Sequence, residues 1–158
     1  MSDITEIRTP AQVDVRGPRF VAWVTTVVLV ATLLTATSSS DVAAVILGVQ
    51  AVVFAIGAVL GPRQHPYGLL FANLIAPRLG PVTEREPVPP LKFAQLVGFL
   101  FAVIGVIGFA GGLSLLGLIA TGFALVAAFL NAAFGICLGC QLYPLVARLR
   151  LKPRTSTA

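Results

Sequence analysis

Four apolar runs without a single charged residue constrain this chain more than any other feature. They cover residues 20–37, 42–60, 93–111 and 115–134. A hydrocarbon core is about 30 Å thick, and an α-helix needs about 20 residues to cross it, so each run is long enough to span a membrane. The sequence therefore predicts an all-α integral membrane protein, folded as a single four-helix bundle over residues 20–147.

The composition supports a membrane protein and argues against a nucleic-acid-binding one. Of the 158 residues, 57% are hydrophobic and 11% are charged, whereas a soluble domain has about 25% charged residues. The net charge is +5, but the basic residues lie between apolar runs and not on a polar face with interleaved aromatics. We therefore expect the lipid bilayer, and no nucleic acid, as a partner.

All 11 Lys and Arg residues fall in three of the five segments that lie outside the runs. These three segments are 1–19, 61–92 and 135–158, while 38–41 and 112–114 contain none. Cytoplasmic segments of membrane proteins carry an excess of Lys and Arg. The alternation therefore predicts that the N-terminus, the long connector and the C-terminus all lie in the cytoplasm.

The polar segments have their own predicted character. Residues 1–19 mix both charges with Pro and Gly, so we expect a flexible or loosely docked cytoplasmic arm. Pro66 to Ala76 is apolar but too short to span, which predicts a short helix lying in the membrane interface. The prolines between 81 and 90 predict an extended segment. Residues 148–158 form a basic cytoplasmic tail.

Small residues mark where the helices are expected to pack. Lipid gives helices no hydrophobic reason to associate, so close contact requires small side chains. Three glycines of the third run, Gly98, Gly105 and Gly108, are expected to make that helix adaptable. Packing within the bundle is the simpler interpretation of the alanine stripe on the fourth run, with a homo-oligomer as the alternative. The stripe consists of Ala120, Ala124, Ala128 and Ala132.

Both cysteines lie just beyond the fourth run. A single helix from residue 115 to 147 would be about 50 Å long, well beyond the hydrocarbon core, so we expect a bend or break near Gly135 to Gly139. Cys137 and Cys140 are three residues apart, which puts both thiols on one helix face at a separation that a disulfide accepts. A helix that restarts here lowers the pKa of Cys137 through its dipole.

The cysteine pair is the main candidate for chemistry, with Cys137 attacking as a thiolate and Cys140 resolving the mixed disulfide. The alternative is that both are small buried hydrophobes. Cys137, Cys140 and His65 supply only three soft ligands, so they are weak candidates for a metal site. Asn131 is expected to form an interhelical hydrogen bond, with a polar contact to a substrate as the alternative.

Motifs spread over nearly the whole chain carry a resemblance to a known family. They are Arg16-Gly17-Pro18-Arg19-Phe20, Pro66-Tyr67-Gly68-Leu69-Leu70-Phe71, Pro77-Arg78-Leu79-Gly80-Pro81, Lys92-Phe93-Ala94-Gln95, and Leu130-Asn131 through Cys137-Leu138-Gly139-Cys140 to Leu142-Tyr143. Together they resemble an uncharacterised bacterial family of four-helix integral membrane proteins, domain of unknown function 4395, with a C-terminal C-x-G-C motif.

The resemblance implies a bacterial inner-membrane protein but no assigned activity. It also implies a genomic setting beside thioredoxin-like proteins and rhodanese-type sulfurtransferases, which favours cytosolic partners of those two kinds. Members often carry an acidic residue directly after the second cysteine, where this chain has Gln141. An acid at that position therefore does not serve as a proton acceptor here.

The expected function follows from the pair and its setting. We expect a multi-pass protein whose Cys137 and Cys140 exchange electrons or sulfane sulfur with a cytosolic thioredoxin-like or rhodanese-type protein. Two alternatives stay open: a structural or assembly subunit of a membrane complex, and a small carrier for a sulfur-containing anion. The runs contain no ionisable side chain of the kind that ion transport usually needs. No cofactor is expected, and enzymatic turnover is left open.

Overall fold

Six helices and a two-stranded ribbon make up residues 10–150, the part of the chain that the computed structural model describes. The elements are β1 (Gln12–Asp14), α1 (Arg16–Ala36), α2 (Ser40–Leu60), α3 (Pro66–Leu70), β2 (Arg85–Pro87), α4 (Val88–Ala110), α5 (Ser114–Phe134) and α6 (Leu138–Arg150). A π-helical turn, Phe71–Ile75, and a 3-10 turn, Ala76–Arg78, follow α3. Helices α1, α2, α4 and α5 are long and apolar enough to cross a membrane, which confirms the predicted all-α membrane bundle.

The four long helices form a ring in which each packs against two neighbours. Helix α1 lies between α2 and α5, and α4 also lies between α2 and α5, with the most extensive contact between α2 and α4. The buried core includes Leu29, Leu47, Phe54 and Phe109. Many Val, Leu and Ile side chains on the outside are exposed, as expected for a surface that faces lipid.

Glycine and alanine bring the helix backbones close together. A Cβ atom on Gly98 would lie 2.9 Å from the ring of Phe54, and one on Gly105 would lie 2.5 Å from Leu47. Gly98 and Gly105 therefore form a contact surface with α2, while a Cβ atom on Gly108 would meet the backbone of Gly117 on α5. The prediction that these three glycines make the helix adaptable gives way to this packing role. The alanine stripe of α5 faces inward, as predicted for packing within the bundle. Its buried members are Ala120, Ala124 and Ala132.

The two ends of the bundle differ in charge. At one end the α1–α2 and α4–α5 turns meet, and the hydroxyl oxygens of Ser40 and Ser114 are 3.3 Å apart. The opposite end carries the ribbon, the connector, α6 and all the Lys and Arg side chains of residues 10–150. Several of these cations satisfy backbone carbonyls, such as Lys92, whose Nζ donates to the oxygen of Val59 at 2.6 Å. We call this end the basic end.

The ribbon corrects the prediction for the N-terminal arm. Strand β1 pairs antiparallel with β2, with Val13 opposite Glu86, and α1 already begins at Arg16. The Asp14 carboxylate receives the backbone N–H of Arg16 and pairs with its guanidinium at 2.8 Å. Residues 10–19 are thus a strand and a helix start, so of the two predicted alternatives, a flexible or a loosely docked arm, the flexible one is wrong for them. The rest of the predicted arm (1–9) and most of the predicted basic tail (151–158) lie outside the described residues.

The connector contains one confirmed prediction and one that is wrong. The short helix predicted from Pro66 to Ala76 is present as α3 and the turns that follow it. The predicted extended segment ends too late, because Val88, Pro89 and Pro90 form the first turn of α4. Proline is tolerated there because the first N–H groups of a helix have no helical partner.

Candidate functional site

The predicted break after α5 is present, and it makes Cys137 the N-cap residue of a new helix. Gly135 adopts a left-handed conformation (φ 69°, ψ 16°) that stops α5, and its N–H donates to the oxygen of Asn131 at 3.1 Å, a common way for a helix to end. The carbonyl of Cys137 then accepts the N–H of Gln141 at 3.1 Å. That bond is the first of α6.

The thiol of Cys137 receives a hydrogen bond from the helix that it caps. The backbone N–H of Cys140 donates to Cys137 Sγ at 3.3 Å, and both cysteines are free and half-buried. The neighbouring Cys140 thiol, followed by the N–H groups of Cys140 and Gly139, lowers the pKa of Cys137 against the opposing effect of burial. The Cys137 sulfur and burial raise the pKa of Cys140. The pair therefore separates into a more acidic and a less acidic thiol.

Glu86 of the ribbon is an acidic neighbour of the thiols that the sequence did not reveal. Its negative charge raises the pKa of both Cys137 and Cys140, so it lies within electrostatic range of the pair. Burial in turn raises the pKa of Glu86, while nearby Arg19 acts in the opposite direction. The chain thus brings a carboxyl group to the thiols from another element, although Gln141 follows the second cysteine.

Gly139, between the two cysteines, sets the position of α6. A Cβ atom at Gly139 would lie 2.5 Å from the Cα atom of Ala94 and 2.6 Å from its Cβ atom. Real Cβ atoms do not approach backbone this closely, so only glycine allows α6 to lie against the start of α4. This contact is a packing reason for the glycine of the C-x-G-C motif, and it holds the thiol pair at the basic end.

A cavity of about 270 Å³ lies between the helices at this end and underneath α6. His65, Gln95, Asn131 and Cys137 all line it, so three of the residues predicted as site candidates share one space. Cys140 is not among its lining residues. The rest of the lining is mostly Ala, Val, Leu and Phe, and it includes no Lys, Arg, Asp or Glu. Asn131 forms no side-chain hydrogen bond within residues 10–150, so the predicted interhelical bond is not made there.

His65 is the most enclosed polar group at the cavity. Its side chain is 1% exposed, and burial lowers the pKa of His65 from 6.5 to about 4, although the nearby Gln95 amide opposes this shift. Nδ1 accepts the backbone N–H of Tyr67 at 3.2 Å, so the proton of the neutral ring is assigned to Nε2.

Three polar atoms at the cavity have no hydrogen-bond partner among the described residues. They are His65 Nε2, Gln95 Oε1 and Thr25 Oγ1. Gln95 lies beside the imidazole and influences its pKa, but the two side chains do not reach hydrogen-bonding geometry. The sequence showed Gln95 as a polar residue inside an apolar run, whereas Thr25 gave no signal, because threonine is common in membrane helices.

The metal set that the sequence left open is not assembled. Within residues 10–150, no three His, Cys, Asp or Glu side chains come close enough together to hold an ion. His65 and Cys137 do line the same cavity, but they reach it from different elements and without the third ligand.

Comparisons with known proteins give a family and nothing more specific. The sequence model of a family described as "Domain of unknown function (DUF4395)" matches residues 13–148. No curated protein and no solved structure matches the chain. The match begins within the ribbon and ends in α6, so it includes the cavity and both cysteines.

Proposed function

We infer the function from the site itself, because the chain belongs to the family described as a domain of unknown function (DUF4395). Its four helices that are long and apolar enough to cross a membrane make it a multi-pass membrane protein. We propose that it exchanges electrons with a thiol–disulfide partner through Cys137 and Cys140. The observation that carries this proposal is Cys137 Sγ at the N-cap of α6, where it accepts the N–H of Cys140 at 3.3 Å.

The exchange runs through two displacement steps. The Cys137 thiolate attacks one sulfur of a partner disulfide, so a mixed disulfide forms and the other partner sulfur leaves as a thiolate. The Cys140 thiolate then attacks Cys137 Sγ, an intramolecular disulfide forms, and the second partner sulfur is released. The partner gains two electrons and the pair loses two. A partner dithiol reduces the pair by the same steps in reverse. A sulfane sulfur would be accepted at Cys137 in the same way.

Glu86 supports the second step as a proton acceptor. The pKa of Cys140 is raised, so its thiol must lose a proton before it can attack. The pKa of the Glu86 carboxyl is also raised, chiefly by burial, and a base works best when its pKa approaches the working pH. In this proposal Glu86 takes the Cys140 proton and passes it to water at the basic end.

The proposed orientation puts the pair on the cytoplasmic side of a bacterial inner membrane. Eight of the 11 cations lie in the described residues, and all eight belong to elements of the basic end. The positive-inside tendency turns this end toward the cytoplasm. A soluble partner such as a thioredoxin-like or rhodanese-type protein would then meet the pair there.

A carrier for a sulfur-containing anion has less support. The cavity lining includes no cation, and His65 is neutral near pH 7 because its pKa is about 4. An anion would lose its hydration in this cavity without a compensating charge, which is strongly unfavourable. A structural subunit remains the contrasting outcome, in which the thiols serve only packing.

Trapping in cells tests the proposal directly. Cys140→Ser leaves Cys137 able to attack but removes the resolving thiol, so a mixed disulfide or persulfide should accumulate at Cys137 under thiol or sulfur stress. Cys137→Ser is the matched control and should trap at least tenfold less. Mass spectrometry of purified full-length protein identifies the adduct. Equal and negligible trapping by both variants, with a double Cys→Ser strain that grows as wild type, would leave the structural role as the answer.

A further inference from the structure

The cavity beneath α6 is bordered by apolar side chains that are exposed on the outside of the bundle. Phe123 of α5 is 61% exposed, and Leu142 of α6 is 48% exposed, and both also line the cavity. An opening with such a rim gives onto the acyl chains or the membrane interface rather than onto bulk water. A ligand that enters here is therefore one that dissolves in the bilayer.

The lack of charged side chains in the cavity lining narrows the range of possible ligands further. Its lining includes no Lys, Arg, Asp or Glu, and burial of a charged ligand without a counter-charge is costly. The volume of about 270 Å³ is near the lower end of the range of roughly 300–1,000 Å³ for small-molecule pockets. It accommodates a ring with small substituents and not a complete lipid. The ligand is thus neutral, lipophilic and about the size of one or two rings.

The unpartnered polar atoms of the cavity indicate that the ring of the ligand carries hydrogen-bond acceptors. His65 is 1% exposed, and its Nε2–H makes no hydrogen bond within residues 10–150, although the Gln95 side chain lies beside it. A carbonyl oxygen on the ligand would accept a hydrogen bond from that N–H. Thr25 Oγ1 on α1, also without a partner among those residues, supplies a second donor, a hydroxyl. An acyl chain has no acceptor to offer to either of these donors.

We propose that this cavity binds the head group of a lipophilic quinone, which oxidises the Cys137–Cys140 dithiol. A quinone is a neutral ring with two carbonyl acceptors, it dissolves in the bilayer, and it accepts two electrons. Cys137 lines the cavity, while Cys140 lies behind it on α6. The inference rests on the proposed thiol exchange for its electron source, whereas the binding of the quinone does not depend on it.

The reaction balances with these groups alone. The Cys137 thiolate bonds to a ring carbon of the quinone, and the ring oxygen takes up a proton from water. Cys140, deprotonated by Glu86, attacks Cys137 Sγ, so the S–S bond forms, the S–C bond breaks and its electron pair stays on the ring. The ring takes up a second proton, which replaces the one that Cys140 released. The pair has lost two electrons, and the quinone has become a quinol.

Binding is tested first, without the thiols. The full-length Cys137→Ser/Cys140→Ser variant in lipid nanodiscs is photolabelled with an azidoquinone, and decylubiquinone is added as the competitor. Labels mapped by mass spectrometry should fall on the cavity-lining parts of α4 and α5. Ala127→Leu fills the cavity and should reduce competable labelling at least tenfold. Ala133→Leu, on the same helix but outside the lining, should leave it within twofold. Equal labelling of both variants overturns the binding site.

The role of the imidazole is tested by two substitutions at one position. His65→Leu removes the N–H donor and should weaken decylubiquinone affinity about fivefold, in line with one neutral hydrogen bond. His65→Gln restores an N–H donor and should stay within about twofold of wild type. If both variants bind equally well, the imidazole does not hold the carbonyl and this part of the proposal is wrong.

Electron transfer is tested last, and its failure is distinguishable from failure of the thiol exchange. Pre-reduced wild-type protein in nanodiscs should convert decylubiquinone to the quinol with loss of two thiols per quinol formed. A pair that exchanges with a soluble disulfide but leaves the quinone unreduced refutes the quinone step and leaves the proposed function standing. A pair that reduces neither the soluble disulfide nor the quinone refutes both the thiol exchange and the quinone step, whatever the binding measurement shows.

Discussion

Acidification from pH 7.5 to 5 should destabilise this protein by about 2 kcal/mol through His65. The side chain is 1% exposed, and burial lowers the pKa of His65 from 6.5 to about 4. Between these values the unfolded chain binds more protons than the folded protein, so the free energy of unfolding falls as the pH falls. The two pKa values give a loss of about 2 kcal/mol at pH 5 and about 3 kcal/mol at pH 4.

The contacts of the ring explain why the folded protein resists protonation. A proton on Nδ1 would displace the N–H of Tyr67, which this atom now accepts at 3.2 Å. The opposite side of the ring faces the Cα atom of Gly57 and the Gln95 side chain, since a Cβ atom on Gly57 would lie 2.6 Å from the imidazole. No carboxylate lines the adjoining cavity to stabilise the cation.

Two measurements check this prediction. Equilibrium unfolding in detergent at pH 7.5 and pH 5 should show the loss in wild type, while His65→Gln should lose less than about 0.5 kcal/mol. His65 is the only histidine, so an NMR titration of its ring gives the pKa directly. A ring that titrates near 6.5, or an equal loss of stability in the variant, would refute the argument from burial.

Three further predictions concern the segment that carries the thiols. Gly139→Ala places a Cβ atom 2.5 Å from the α4 backbone and should cost about 1–3 kcal/mol in thermal or detergent unfolding, whereas Gly122→Ala, with open space around it, should be neutral or slightly stabilising. Gly135→Ala forces a side chain into φ 69° and should cost about 1–2 kcal/mol, while a wild-type melting temperature would contradict the left-handed cap. Iodoacetamide at pH 7.5 should alkylate Cys137 at least tenfold faster than Cys140, because the pKa of Cys137 is lowered and that of Cys140 is raised; mass spectrometry reads the ratio, and equal rates would remove the distinction between the two thiols.

Hydrophobic length and charge were enough to predict the spanning helices from the sequence. A membrane helix must satisfy all its backbone hydrogen bonds internally, so an uncharged apolar run has few alternatives to being a helix. The break after α5 was predictable for the same reason, because a continuous helix would exceed the hydrocarbon thickness. The predictions failed where residues are polar and context decides. Residues 12–14 become a strand only because residues 85–87 lie beside them.

The candidate residues could be selected from the sequence, but their convergence on one cavity could not be predicted from it. Cys137, Asn131 and His65 stood out as polar or reactive side chains, but their convergence depends on which helices are neighbours. Apolar periodicity shows that a helix packs against other helices, but it does not show which helices these are. Glu86 was hidden for the same reason, since only the pairing of β2 with β1 brings its charge near the thiols. From the sequence, the glycine at position 139 could serve backbone flexibility or a close contact between helices. Only its position against the Ala94 backbone shows that it serves close contact.

The distribution of unsatisfied polar atoms is the strongest argument that the cavity serves more than packing. Five buried side-chain polar atoms of residues 10–150 lack a hydrogen-bond partner there, and three of them, on Thr25, His65 and Gln95, line this one cavity. Each such atom costs about 1–3 kcal/mol, so valine at Thr25 would give a more stable bundle. A purely structural bundle gains nothing from the two donors among these atoms, on Thr25 and His65, that make no hydrogen bond within residues 10–150. A binding site for a lipid-soluble molecule that accepts hydrogen bonds would use these donors. The cavity lies beside Cys137, the more acidic of the two thiols.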